Sequence, residues 1–284
     1  MSENTRKIIG IDPASGKGSY VFAPDVPDPS PSKARETGID RIMTPSELRE
    51  VLPASRDQKG IASKPFGVDS CLVCWDAPLT GLQDPDALVV GATSENDDTE
   101  SLTTRPIERK GEKAPEEYRK VAHATDQHGV SVLGFSGLSH WVISRNVLGL
   151  PRVGRFDAQY GELPLYPVFT REELTHHEWA VTEVHPTLAA WMWLKKSPNW
   201  EPYKGTGVSA ERSREVTKRL WDDLLEMYPD KVVGAHCKKW SDDAFDARVA
   251  WLLGYLWLNG GEVEVCGNEK DGSFLLPKGA ADSG

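Results

Sequence analysis

Four short acidic motifs hold the residues of this chain best suited to chemistry. They are Gly10-Ile11-Asp12-Pro13-Ala14, Trp75-Asp76-Ala77-Pro78-Leu79, Thr182-Glu183-Val184-His185-Pro186 and Ser241-Asp242-Asp243-Ala244-Phe245-Asp246-Ala247. In the first three, an acidic residue closes or follows a short apolar run, the pattern of a buried strand whose tip presents a carboxylate on a rigid stem. In the fourth, Asp243 and Asp246 are spaced to share one face of a helix. Asp246 also sits beside Ala244 and Ala247 in an otherwise apolar helix, where burying a carboxylate is costly unless a cation or a partner meets it. Carboxylates gathered in this way suit divalent metal. Magnesium prefers hard oxygen ligands. Two such ions about 3.5–4 Å apart activate an attacking water and stabilise the leaving oxygen in phosphodiester cleavage. The plainer alternatives are an Asp that opens a turn and acids that serve a helix start.

Other motifs carry less. Gly10 to Gly16-Lys17 resembles a phosphate loop, but five residues separate the glycines and Gly18 replaces the Ser or Thr that would meet magnesium. Cys71 and Cys74 have C-x-x-C spacing, yet on a strand they face opposite ways and cannot grip one zinc ion. His236-Cys237 brings no second pair, so buried reduced thiols are the expectation. His176-His177-Glu178 reads as solvated loop. His185, close after Glu183, is a candidate substrate contact, as are Arg105, Lys110, Lys204 and Arg212 for phosphate.

The elements that must position these groups follow from apolar runs and turn residues. Lys7–Asp12, Ser19–Ala23 and Ile39–Met43 read as strands, the first two as a hairpin. Thr44-Pro45-Ser46-Glu47 supplies an N-cap, a proline at the first helical position and a capping glutamate, opening a helix to about Leu52. Strands are expected over 69–76 and 180–184. Helices are expected over 114–124, 137–148, from Pro186 to about Leu194, over 209–227 and over 241–259, the last apolar nearly all round. Val263–Val265 and Phe274–Leu276 close the chain as a hairpin. Residues 84–112 and 150–178 read as irregular insertions. Hairpin strands followed by alternating strands and helices give an α/β domain over 1–284, with a mixed five-stranded sheet flanked by helices.

Composition narrows the class. A 39% hydrophobic and 27% charged chain of 284 residues is ordinary for a globular protein. The most apolar run, Val249 to Leu258, falls short of the roughly 20 residues of a membrane span. With no apolar leader after Met1, a cytoplasmic protein without membrane contact is expected. A net charge of −10 argues against broad duplex binding. It leaves room for a nuclease, whose site is itself acidic.

Taken in order, the motifs resemble the DUF429 family of predicted nucleases. The matching pieces are Gly10-Ile11-Asp12, Asp76-Ala77-Pro78, Gly137-Leu138-Ser139 with Trp141, Glu183-Val184-His185-Pro186 and Asp242-Asp243 with Asp246-Ala247. The closing Asp-x-x-Asp-Ala is also similar to the last helix of RuvC-type resolvases. The resemblance implies a ribonuclease H-like fold and a magnesium- or manganese-dependent site, with room for two ions. It carries Asp12, Asp76, Asp243 and Asp246 across as metal ligands, with Glu183 as a further acidic catalytic candidate. The expectation is a nuclease acting on nucleic acid. Two alternatives stand beside it: an inactive scaffold or nucleic-acid-binding module of the same fold, and an actin-like phosphotransferase. The phosphotransferase would need a second Asp-Gly phosphate loop, which the sequence lacks.

Overall fold

A computed structural model describes residues 6–14, 18–29, 38–52, 64–79, 105–108, 144, 147–148, 165–205, 207–228 and 240–278. Strands β1 (Lys7–Asp12), β2 (Ser19–Ala23), β3 (Ile39–Met43), β4 (Cys71–Trp75), β5 (Tyr166–Pro167) and β6 (Trp179–Glu183) form one sheet in the order β3-β2-β1-β4-β6-β5. β2 pairs antiparallel with β1 and β3, whereas β1, β4, β6 and β5 run parallel. Among the described residues the sheet therefore has six strands, one more than the sequence suggests. The extra strand is two residues long and ends in Pro167, too short to leave a periodic signature.

That strand and helix α2 (Arg171–His176) fall inside the stretch expected to be an irregular insertion. The helix is short, but Thr170 and Glu173 form a reciprocal capping box, a start signal the sequence does carry. The same device opens helix α1 (Pro45–Val51), where Thr44 accepts from the Glu47 amide and Glu47 accepts from that of Thr44. The helices expected over 114–124 and 137–148 lie mostly outside the described residues. Of the second, Ser144, Val147 and Leu148 are described, and all are helical and buried.

Helices α3 (Pro186–Leu194), α4 (Ala210–Met227) and α5 (Asp242–Leu258) cover one face of the sheet. α5 lies directly on β1 and is apolar all round because sheet, helices and terminal hairpin enclose it. Gly10 permits this approach: a Cβ there would overlap the Ala247 carbonyl oxygen and come within 2.6 Å of the Trp251 nitrogen. The second hydrophobic cluster, with Ile9, Ile11, Val73, Trp75 and Val181, fills the opposite face. Strand alternation sends Cys71 into that cluster and Cys74 into the helical one, so the two thiols do not share a face. Both are buried, and burial pushes the Cys71 thiol up to about 12.

β7 (Val263–Asn268) and β8 (Gly272–Pro277) form a separate antiparallel pair. A bridge between Val184 and Leu275 ties this pair to the end of β6. No helix among the described residues is long and apolar enough to cross a membrane.

Candidate functional site

Parallel register decides which strand tips share an edge. Ile11 is level with Trp75, and Trp75 with Glu183, so Asp12 and Asp76 extend one step beyond the last paired residues of neighbouring strands. Asp12 lies in phase with Ile8 and Gly10, and Asp76 with Leu72 and Cys74. Both therefore belong to the face that α5 covers. α5 begins at this edge. Ser241 caps it by accepting from the Ala244 amide at 3.1 Å, which puts Asp243 in the first turn and Asp246 one turn on. The helix's N-terminal amides favour acids there.

The side chains interact as one cluster. Asp243 is hydrogen-bonded to Asp12, and Asp12 feels the charges of Asp76, Asp246 and Asp243. Burial, reinforced by Asp76 and Asp246, raises Asp12 well above the carboxylate range. Asp76 is pushed up to about 8, first by burial and then by Asp246 and Glu183, with Lys204 opposing. Burial also raises Asp243 and Asp246.

Tyr203 and Lys204, in the segment between α3 and α4, complete the site. The Tyr203 hydroxyl donates to Asp246 Oδ1 at 2.5 Å and lies 3.0 Å from the Thr187 hydroxyl oxygen. Lys204 Nζ donates to Asp246 Oδ2 at 2.5 Å. Burial lowers the pKa of Lys204, but Asp246, Asp76 and Asp12 together outweigh it and hold the ammonium charged. Burial and then Asp246 push the Tyr203 phenol up, so it stays a donor. Sequence reading picked Lys204 as a phosphate contact and missed Tyr203. The only local signal was a Tyr-Lys pair ahead of a glycine.

Glu183 is placed elsewhere. It is in phase with Val181, so it turns toward the face away from α5. Its oxygens take the Arg105 guanidinium at 2.6 and 2.7 Å and the Leu79 amide at 3.0 Å. Arg105 is buried as well, holds Glu108 at 2.5 Å and sits over the Phe274 ring. This guanidinium joins strand end, 3₁₀ turn and terminal hairpin. It is not an exposed group waiting for phosphate. Burial raises Glu183 to about 7 against the pull of Arg105.

His185 caps α3, its Nδ1 accepting from the Leu188 amide at 3.4 Å, and packs edge-on against Phe274. Burial and then the charges of Lys204 and Arg105 lower it to about 3, so the ring is neutral. Arg212 is on the surface, bonded to Glu201 and Glu215. His177 stacks on Tyr166 at 3.7 Å, away from the carboxylates. Lys110, His236 and Cys237 lie outside the described residues.

The donor set of the cluster is carboxylate oxygen throughout, which fits a hard divalent ion in kind. Its present arrangement is tied to the chain's own donors, since both Asp246 oxygens are taken. Among the described residues, no group of three or more His, Cys, Asp or Glu side chains stands ready to hold a metal ion.

Fold and site together define a mixed α/β protein with buried carboxylates at the carboxyl edge of its parallel strands. The family model DUF429, described as a protein of unknown function, matches residues 168–271 of the chain. The match includes Tyr203, Lys204, Asp243 and Asp246, while Asp12 and Asp76 precede it. No curated protein and no solved structure matched the chain.

Proposed function

We propose that the protein is a metal-dependent nuclease of the ribonuclease H-like type, cleaving phosphodiester bonds at the Asp12, Asp76, Asp243 and Asp246 cluster. The observation that carries this reading is the meeting of acids from β1, the end of β4 and the start of α5, residues up to 234 positions apart that feel one another's charge. Structural stability does not require so many like charges in one place, and perturbed carboxyls of this kind concentrate at functional sites.

Asp12, Asp76 and Asp243 are the residues that would hold magnesium or manganese, with Asp246 as the fourth. When bound, such ions supply Lewis-acid stabilisation of the charge that develops on a phosphoryl group. The chain contributes placement. Gly10 lets α5 bring Asp243 against Asp12, and Tyr203 anchors Asp246. His185, neutral and engaged as a cap, serves the frame of the site and not proton transfer.

An assay over labelled single-stranded, duplex and branched DNA and RNA, with magnesium or manganese, tests the proposal. Cleavage by the native chain is expected. Asp12→Asn and Asp243→Asn should each lower the rate by about 10²-fold or more, the scale of losing several kcal/mol of metal-borne stabilisation. Failure to cleave any substrate would sink it.

A second reading has one observation behind it. The Tyr203 and Lys204 bonds that satisfy Asp246 also suit a scaffold or binding module that never takes metal. Nucleic-acid binding that persists without cleavage and without divalent ions would favour that reading.

A further inference from the structure

Among the described residues, the cation whose field acts on Asp12, Asp76, Asp243 and Asp246 alike is the ammonium of Lys204. Among the described residues, the neighbouring arginines are committed elsewhere. Arg105 serves Glu183 and Glu108, Arg248 serves Asp40, and Arg212 and Arg219 share Glu201. We infer that Lys204 is the built-in cation of this cluster, and that a divalent ion gains the site only by displacing its ammonium from Asp246. The inference rests on the metal-dependent reading above and deepens it by naming what governs metal entry.

Three features of the geometry support displacement. Asp246 is 1% exposed and its two oxygens are filled, one by a hydroxyl and one by the ammonium. Asp246 can therefore ligate an ion only by giving up one of these partners. Lys204 is the partner able to leave. Its side chain is 37% exposed, whereas Tyr203 is 1% exposed and wedged against Phe245 at a ring-centroid distance of 4.9 Å. The backbone beyond Lys204 also has room: Gly205 and Gly207 have φ of +120° and +89°, with nothing within 4 Å of where a Cβ would stand. Finally, an ammonium and a divalent ion drawn to the same oxygens repel each other, and more strongly away from bulk water. Occupancy by one opposes the other.

Calorimetric titration of manganese into the metal-free full chain tests this. Native protein is compared with Lys204→Met, which removes the charge, and Lys204→Gln, which keeps a donor for Asp246 without the charge. Both neutral variants should bind manganese on the order of tenfold more tightly than the native chain. Lys204→Arg should bind no more tightly than the native chain. Native-like or weaker binding in both neutral variants overturns displacement but leaves the metal reading standing, because the native chain still binds. No manganese binding by any of the proteins removes the metal reading and the inference together.

Thermal unfolding in metal-free buffer reads the counter-cation role separately. Lys204→Met should melt at a lower temperature than the native chain, and adding Asp246→Asn should restore part of the loss. If Lys204→Met is too unstable to purify, the same pair is made with Lys204→Gln. An undiminished melting temperature, or no recovery on adding Asp246→Asn, overturns the role.

Discussion

Tyr203 isolates the contribution of one donor to the buried Asp246. Tyr203→Phe keeps the ring against Phe245 and removes only the hydroxyl bonds to Asp246 and Thr187. A loss of about 1–3 kcal/mol in denaturant unfolding is expected, the range for stranding a buried acceptor. A change below a few tenths would show that water or Lys204 fills the gap. Protonation at the site sets a pH dependence of stability. Asp76, raised to about 8, keeps a proton in the folded chain that the unfolded chain has released above its ordinary value of 3.8. Its contribution to stability is complete below that lower value and is lost as pH rises through about 8. Glu183, raised to about 7, acts in the same direction. His185, lowered from 6.5 to about 3, acts oppositely, adding stability as pH rises through that interval. Between pH 6.5 and 8 only the carboxyl effect remains, so urea midpoints should fall across that window. Saturating manganese should flatten the fall. Which acids lie together was half legible at this scale. Strand-tip position marked Asp12 and Asp76, yet it marked Glu183 equally, and only counting its phase along β6 separates Glu183 from the pair.

Helix α5 is the element on which the site depends, because it must lie close to β1 for Asp243 to reach Asp12. Gly10 sets that distance. Gly10→Ala would force its new methyl into the backbone of Ala247 and Trp251, at an expected cost of about 1–3 kcal/mol or more from overpacking. The same shift would part Asp12 from Asp243, so divalent affinity should fall together with stability. A variant that loses stability but keeps metal affinity would show that the close approach serves packing alone. The helix itself was plain in the sequence, from its Ser241 cap to its apolar length. What escaped was Tyr203 and the placement of Lys204 against Asp246, in a segment that has no periodic pattern and gains meaning only from the helix it meets.

Across the whole molecule, Arg105 ties the terminal hairpin to the central sheet through Glu183 and Phe274. Arg105→Met would leave two buried carboxylates without their cation, and breaking a buried pair in this way costs about 3–5 kcal/mol. A large drop in melting temperature is expected, with Glu183→Gln giving a smaller one because Glu108 still pairs with the guanidinium. Net charge acts at this scale too. With a formal charge of −10, and with Arg105 internal and Arg212 already paired among the described residues, few phosphates would be neutralised if nucleic acid binds as proposed. The affinity for nucleic acid should therefore depend weakly on salt, with a log–log slope no steeper than about −3, the value for some three phosphate contacts. A slope near −8 would reveal a basic surface absent from the described residues.

Local pattern was enough to determine the strands, the helix caps, the apolar final helix and the acids at strand ends, because each is written in residues within a few positions of one another. Tertiary structure alone decided the sixth strand, the turning of Glu183 toward Arg105 and the presence of Lys204 among the aspartates. Those depend on register between strands and on which side chains meet across more than 40 residues of chain, from Lys204 to Asp246. The charge balance of a buried cluster is a property of that meeting, not of any one segment.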